Sequence, residues 1–180
     1  SEGVGTKLIP EIYLNNTNTF QDETTYVLLD GQPYALNSTI DTVGYHTLKI
    51  FGVGGYEKEY KITVIPTIAD IADDATYEGN VTPNIDKCTL LLDGEAYISG
   101  TPIVAVGHHT IEMLGVNDYV LSYSFTITPS HVEDYSDKVF YKEVAVNTIE
   151  NATLYLDGEL YNGEKITSLG YHTIKIEGTN

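Results

Sequence analysis

The sequence predicts an all-β chain, and three observations carry this prediction. Tyrosine and the β-branched residues are abundant among the 180 residues, whereas tryptophan is absent and methionine occurs once, a composition that favours strands. No segment repeats its apolar residues at the 3.6-residue period of a helix. Glycine-containing turns recur at a nearly constant spacing, and short strands between regular turns are typical of β-sandwiches.

Two motifs show that the chain is a tandem repeat. A Leu-Asp-Gly-x-x-Tyr motif occurs three times, within 28–34, 91–97 and 155–161. A Gly-x-His-Thr motif also occurs three times, within 44–50, 107–113 and 170–176. Successive copies lie 63 or 64 residues apart, and such a period indicates a repeated structural unit. We therefore predict three units, spanning 1–66, 67–129 and 130–180.

Each unit is predicted to contain the same elements in the same order. A short strand comes first, with alternate residues such as Val27 and Leu29 facing the core. A tight Asp-Gly turn follows, because both residue types tolerate positive φ; the turn residues are Asp30, Gly31, Asp93, Gly94, Asp157 and Gly158. A later strand carries the histidine on the same face as aliphatic residues. A glycine-rich turn and a last strand complete the unit, and the third unit stops before that strand.

The order of these motifs resembles the tandem immunoglobulin-like repeats of bacterial cell-surface and secreted proteins. The resemblance covers nearly the whole chain and is weakest over 1–24. It implies three immunoglobulin-like β-sandwich repeats, the last lacking its final strand. It also implies an extracellular spacer, stalk or adhesive module without chemistry of its own, so we expect neither enzymatic activity nor a cofactor.

The recurring histidines are the most conspicuous candidates for a functional site. His46, His109 and His172 each follow a glycine and lie on the face predicted to be the core. An imidazole there can donate one N–H to a backbone carbonyl, as the corner tyrosine of an immunoglobulin-like sandwich does with its hydroxyl. Histidines in separate units would not converge on one metal ion. The sequence therefore favours a structural role, and it likewise favours the turn role for the recurring aspartates.

Charge and cysteine content exclude several functions. The net charge is −17, from 26 acidic residues and 9 lysines, which argues against nucleic-acid binding because that requires clustered basic residues. No apolar run reaches the 18 residues of a membrane-spanning helix. The single cysteine, Cys88, rules out an internal disulfide framework and is interpreted as a small, buried and inert thiol.

Acidic residues cluster near the predicted unit boundaries. Oxygen-rich groups of this kind can hold Ca²⁺, although no recognised calcium-loop motif is present. A solvated linker is the favoured interpretation, and calcium binding is the second. The residues concerned are Asp70, Asp73, Asp74, Glu133, Asp134 and Asp137.

The ends of the chain suggest a partner. The segment 4–12 resembles the last strand at 60–68, with Val4, Leu8 and Pro10 in the possible strand-donor segment. That segment could fill the open edge of another copy, building a head-to-tail filament by strand addition. A further alternative is a carbohydrate-binding module that uses surface tyrosines to stack on sugars. A surface glycan, a host protein or other copies are thus the expected partners.

Overall fold

The computed structural model describes residues 26–35 and 38–178, and this part of the chain is all-β. Its fourteen strands are β1 Tyr26–Leu29, β2 Gln32–Pro33, β3 Gly44–Phe51, β4 Glu57–Val64, β5 Thr67–Ala69, β6 Ala75–Glu78, β7 Asn84–Asp86, β8 Thr89–Leu92, β9 Glu95–Ala96, β10 Gly107–Leu114, β11 Val120–Thr128, β12 Ala152–Leu156, β13 Glu159–Tyr161 and β14 Ile174–Gly178. A short 3-10 turn covers Val53–Gly55. Among the described residues, no helix has the length and apolarity needed to cross a membrane.

One three-strand arrangement occurs three times in the sheets. The strand orders are β2-β1-β3-β4, β6-β11-β10-β8-β9, β13-β12-β14 and β5-β7. The first three sheets each contain a hairpin with a third strand on its other side, namely β2-β1-β3, β9-β8-β10 and β13-β12-β14. β1 pairs with β3, and β12 with β14, in antiparallel register. The sequence period thus corresponds to a repeated structural unit.

Each hairpin turns through its Asp-Gly pair. In the first, Leu29 is opposite Gln32, so only two residues form the loop. Asp30 has φ 50° and Gly31 has φ 80°. Two successive positive φ values identify a type I′ turn, whose twist matches that of the flanking strands. The same values recur in the other two repeats, at Asp93 (51°), Gly94 (84°), Asp157 (51°) and Gly158 (89°).

The predicted core face is correct in the first two repeats. Leu48 and Ile50 on β3 are buried, as are Ile111 and Met113 on β10. Val27 joins the β3 residues in one apolar cluster. Alternate residues of each strand point to opposite faces, so the period-two pattern in the sequence was enough to identify these positions.

The same prediction is wrong for the third repeat. Ile174 is half-buried and Ile176 is 37% exposed, and His172 is exposed as well. The two isoleucines lie on β14, which forms the edge of its sheet, whereas β3 and β10 lie between two other strands; His172 precedes β14. The apolar core of this repeat instead comprises Val146, Leu154, Tyr161 and Ile166.

Residue contacts divide the chain into two compact units. Of the described residues, the first unit contains those up to 69 together with 85–91 and 112–122. The second contains 70–84, 92–111 and the described residues from 123 onward. The predicted boundaries at 66/67 and 129/130 stay a prediction. The possible strand-donor residues Val4, Leu8 and Pro10 lie outside the described residues.

Candidate functional site

In the first repeat, the turn aspartate and the recurring histidine form one hydrogen-bonded cluster. His46 Nδ1 lies 2.7 Å from Asp30 Oδ2, and His46 Nε2 lies 2.8 Å from the carbonyl oxygen of Thr42. The other carboxylate oxygen of Asp30 accepts from the backbone N–H of Thr47 at 2.8 Å. The N–H of Asp30 in turn donates to the carbonyl of Thr47 at 2.9 Å. The cluster fastens the hairpin turn to β3.

The second repeat builds the same cluster from residues one period later. His109 Nδ1 is 2.7 Å from Asp93 Oδ2, and Nε2 is 2.8 Å from the carbonyl oxygen of Ala105. The N–H of Thr110 donates to Asp93 Oδ1 at 2.8 Å. The imidazole stacks on Phe125 with ring centroids 5.4 Å apart. Only 3% of His109 is exposed, so its imidazole is part of the core, whereas Asp93 lies at the surface.

The third repeat has the same geometry at the surface. His172 Nδ1 is 2.7 Å from Asp157 Oδ2, and Nε2 is 3.0 Å from the carbonyl oxygen of Ser168. The N–H of Thr173 donates to Asp157 Oδ1 at 2.8 Å. The geometry survives although His172 is exposed, so local strand and turn contacts alone are enough to form it.

Both ring nitrogens of each histidine face an acceptor. A backbone carbonyl oxygen carries no hydrogen, and neither does an ionised carboxylate, so each can only accept. Neutral imidazole has one N–H and would leave one of these contacts unmade. An imidazolium would make both contacts by donating through both nitrogens, and a charge-assisted pair of this kind is stronger than a neutral hydrogen bond.

The hydrogen bonds of the exposed pair shift the pKa values of both its members. The hydrogen bond to Asp157 and that to the carbonyl of Ser168 raise the pKa of His172 above its ordinary value of 6.5. The hydrogen bonds from His172 and from the Thr173 N–H lower the pKa of Asp157. Burial alone would raise the pKa of Asp30, but hydrogen bonds from Thr47 and His46 outweigh it and lower that pKa.

The third repeat superficially resembles a serine–histidine–aspartate triad. Ser168 Oγ lies 3.3 Å from His172 Nε2. A general base needs a bare nitrogen facing the hydroxyl, whereas this Nε2 makes its shorter contact, 3.0 Å, with the carbonyl of the same serine. Ala105 occupies the equivalent place in the second repeat and keeps the 2.8 Å carbonyl contact. The hydroxyl is therefore not part of the shared cluster.

The corner hydrogen bond expected of the histidines is shared with a tyrosine. The histidines do bond to a carbonyl four residues upstream. The motif tyrosines make a second bond of this type to a downstream carbonyl: Tyr34 to Ser38, Tyr97 to Thr101 at 2.6 Å, and Tyr161 to Glu164 at 2.7 Å. The sequence signal for this tyrosine bond is the fixed position of the tyrosine after Asp-Gly in all three copies of the motif.

The acidic residues proposed for calcium bind protein groups instead of converging. Asp70 accepts from the Asn84 amide at 2.7 Å, and Asp73 accepts from the N–H of Ser124 at 2.8 Å. In the second boundary region, Glu133 accepts from Tyr135 and Asp134 accepts from the N–H of Ser136; Asp74 and Asp137 are turn residues with positive φ. No three His, Cys, Asp or Glu side chains in the described part of the chain are grouped to hold a metal ion. The calcium hypothesis stays a prediction without support from this geometry.

Cys88 differs from expectation in one respect. It is half-buried rather than fully buried. Burial, followed by the charge of Asp86, raises the pKa of its thiol. A raised pKa keeps the sulfur protonated and unreactive, which agrees with the expected inert role.

An open cleft of about 720 Å³ lies beside the first cluster. Its lining includes Asp30, His46, Lys49, Phe51, Lys61, Thr63, Asn117 and the ring of Tyr45. Tyr45 is 49% exposed, and its position is fixed by an edge-to-face contact with Tyr119 at 5.3 Å. The cleft combines an accessible aromatic ring with both charged and neutral polar groups.

No family model and no curated protein matches the chain. Among solved structures, it is similar to the Bacteroides ovatus mixed-linkage glucan utilization locus protein SGBP-B, solved in complex with a mixed-linkage heptasaccharide. The identity is 15% and the TM-score is 0.22. The match covers 86% of this chain and 50% of that one, so this chain spans about half the length of the matched protein. A likeness at this level does not establish a shared fold.

Replacing Asp93 by Asn tests the charge of the buried cluster. Asparagine tolerates the positive φ of the turn, so Asp93→Asn removes the charge without removing the turn residue. We expect a loss of about 2–3 kcal/mol, because the buried imidazole loses its anionic partner. Hydrogen exchange of the β10 amides measures this loss. Asp118→Asn, at an exposed turn residue with φ 61°, is the control and should stay within about 0.5 kcal/mol; equal effects would contradict the prediction.

The pH dependence of the third cluster has two limits. The pKa of Asp157 is lowered, so its contribution is present above the unfolded pKa and is lost as pH falls through the folded one. The pKa of His172 is raised, so its contribution is complete below 6.5 and is lost as pH rises through the folded value. NMR titration of His172 should show its pKa falling in Asp157→Asn. An unchanged pKa would mean that the carboxylate does not stabilise the imidazolium.

Proposed function

We propose that the chain is a non-catalytic structural module of three immunoglobulin-like units, serving as a spacer or stalk in an extracellular protein. The observation that carries this proposal is the hydrogen bonding of the three recurring Asp-His pairs. In each repeat, the Asp-His pair is the group of side chains that most resembles a catalytic site. Each pair is hydrogen-bonded to the backbone of its own repeat. Groups held this way stabilise a fold, since both ring nitrogens and both carboxylate oxygens already contact other groups of the protein.

The position of the pairs suits a load-bearing role. In the first two repeats the carboxylate joins a hairpin turn to a strand that begins with a glycine, so the cluster connects the ends of two elements. In the first repeat it adds the Asp30–Thr47 and Asp30–His46 contacts to the four paired residues of β1 and β3. Separating β1 from β3 under force therefore requires breaking the Asp-His pair as well as the ladder.

The surface charge agrees with an extracellular spacer. A net charge of −17 gives mutual repulsion, which favours solubility and opposes non-specific association. The repeats share their fastening cluster but not their exposed residues: Tyr45 and Tyr171 correspond to His108 in the second repeat. A shared interior with variable exteriors is what tandem structural units require.

Single-molecule stretching tests the spacer proposal. Each full repeat should unfold in a separate event that releases about 200 Å of chain, because about 63 residues extend by roughly 3.3–3.6 Å each minus their folded length. Asp93→Asn should lower the force of one event and leave the others unchanged. A single undivided event would contradict independent units. Hydrolase activity that is abolished in His109→Ala, with the fold retained, would contradict the non-catalytic proposal.

A second candidate function is glycan binding in the cleft beside Tyr45. Sugar sites pair an aromatic face with a few polar groups, and Tyr45 lies among Lys61, Thr63 and Asn117. Screening on a glycan array, followed by calorimetry with the best neutral oligosaccharide, tests this function. Tyr45→Ala should abolish binding, whereas Tyr141→Ala, at a residue 88% exposed and outside the cleft, should not. Binding to no glycan, or equal binding by both variants, would exclude the cleft.

A further inference from the structure

The first and second repeats meet through a close backbone pairing. The N–H of Val116 donates to the carbonyl of Val43 at 2.9 Å, and the N–H of Tyr45 donates to the carbonyl of Val116 at 3.3 Å. Gly44 and Val116 form a parallel bridge. A Cβ added at Gly115 would lie 2.4 Å from the Val43 oxygen. The contact is therefore possible only because glycine occupies that position.

The same close approach recurs one period later. Val106 and Gly107 lie 63 residues after Val43 and Gly44, and Gly178 lies 63 after Gly115. A Cβ added at Gly178 would lie 2.0 Å from the Val106 oxygen and 2.9 Å from the Gly107 Cα. The equivalent atoms of Val43 and Gly44, in the same order, are nearest to a Cβ added at Gly115. A glycine of one repeat thus approaches the backbone just before the histidine of the preceding repeat in both cases, and in the first case it begins a docked turn.

One copy of each half of this contact is exposed. The docking residues of the third repeat are Leu169, Gly170 and Tyr171, hereafter the acceptor. Leu169 is 96% exposed and Tyr171 is fully exposed. Gly170 has φ 135°, close to the 145° of Gly44, and a Cβ placed there would meet nothing within 4 Å. The acceptor therefore has the backbone form of the occupied sites without an occupant.

The first repeat carries the matching turn, Gly52 to Tyr56, hereafter the donor. The N–H of Gly52 donates to the carbonyl of Tyr56 at 2.8 Å, as that of Gly115 donates to Tyr119 at 2.9 Å. The donor thus already has the closed shape of the docked turn. Val53, which corresponds to the docked Val116, is 63% exposed.

We propose that the acceptor of one molecule binds the donor of a second copy, so that the chain associates head to tail through the same backbone pairing. Tyr171 and Tyr56 correspond to Tyr45 and Tyr119, whose rings meet edge to face inside the chain. The two halves are different surfaces, so the contact is heterologous and adds copies head to tail, into a ring if the rotation closes and into a filament if it does not. It needs neither strand donation by residues 4–12 nor the proposed spacer role.

The contacts formed inside the chain set the scale of the dissociation constant expected between copies. Segments joined by a short linker meet at an effective concentration of about millimolar. A junction that is formed under these conditions must have a dissociation constant below about 1 mM. The donor has Gly54 where the second repeat has Asn117, and it lacks the 2.6 Å bond from that amide to the Tyr45 carbonyl. Association between copies is therefore expected to be weaker than the first internal contact.

Sedimentation velocity over a concentration series up to about 1 mM tests the proposal with the full chain. Wild type should form dimers and longer species as concentration rises. Gly52→Ala should weaken association at least tenfold, because the equivalent Cβ at Gly115 would meet a carbonyl oxygen at 2.4 Å. In the monomer that Cβ meets only Tyr56, at 3.3 Å, and the φ of −133° suits alanine. Far-UV circular dichroism checks that the variant is folded.

A pair of variants on opposite halves makes the test specific. Tyr171→Ala should also weaken association, whereas Tyr141→Ala, at a tyrosine that is 88% exposed and lies outside both halves, should not. Gly52→Ala retains its acceptor and Tyr171→Ala retains its donor. Mixed together, they should form a one-to-one dimer that grows no further. A wild type that stays monomeric, a Gly52→Ala chain that associates normally, or a mixture without dimers would each overturn the proposal.

Discussion

The hydrogen-bonded pair of the turn aspartate and the recurring histidine is the interaction on which each repeat depends. In the first two repeats it joins three local features, namely a type I′ turn, the first residues of a long strand and the loop before that strand. Asp30 bonds to His46 and to the N–H of Thr47, and His46 bonds to the carbonyl of Thr42. Without it, two backbone groups and an imidazole would lose their partners beside the core, and a buried unpaired polar group is costly.

The pair also explains why the repeat retains an ionisable group inside an otherwise apolar core. A buried ion pair gains little net stability over well-packed apolar side chains, so its value here is geometric. Imidazolium donates in two fixed directions, and the carboxylate accepts from two donors at once. The turn, the loop and the strand are therefore held in one relative orientation, which the apolar clusters around Leu48 or Ile111 could not specify.

Glycine imposes a second constraint, on how successive repeats meet. Gly115 and Gly178 approach backbone carbonyls more closely than any Cβ allows, so side chains cannot substitute for them. The pairing uses main-chain groups, which every repeat possesses, and only the flanking residues vary. A surface made of backbone and glycine can therefore be reused along the chain, while residues such as His108 and Tyr171 change from repeat to repeat.

The sequence by itself determined the all-β class, the period, the Asp-Gly turns and the core face of β3 and β10. These features depend on local backbone preferences and on the period-two alternation of strands. Tertiary structure decided the rest. The aspartate and histidine lie 16 residues apart and meet only when the hairpin pairs with the next strand. Gly115 meets Val43 across two repeats. The exposure of Ile176 depends on β14 being an edge strand, because burial is set by neighbouring strands and not by a residue's own pattern.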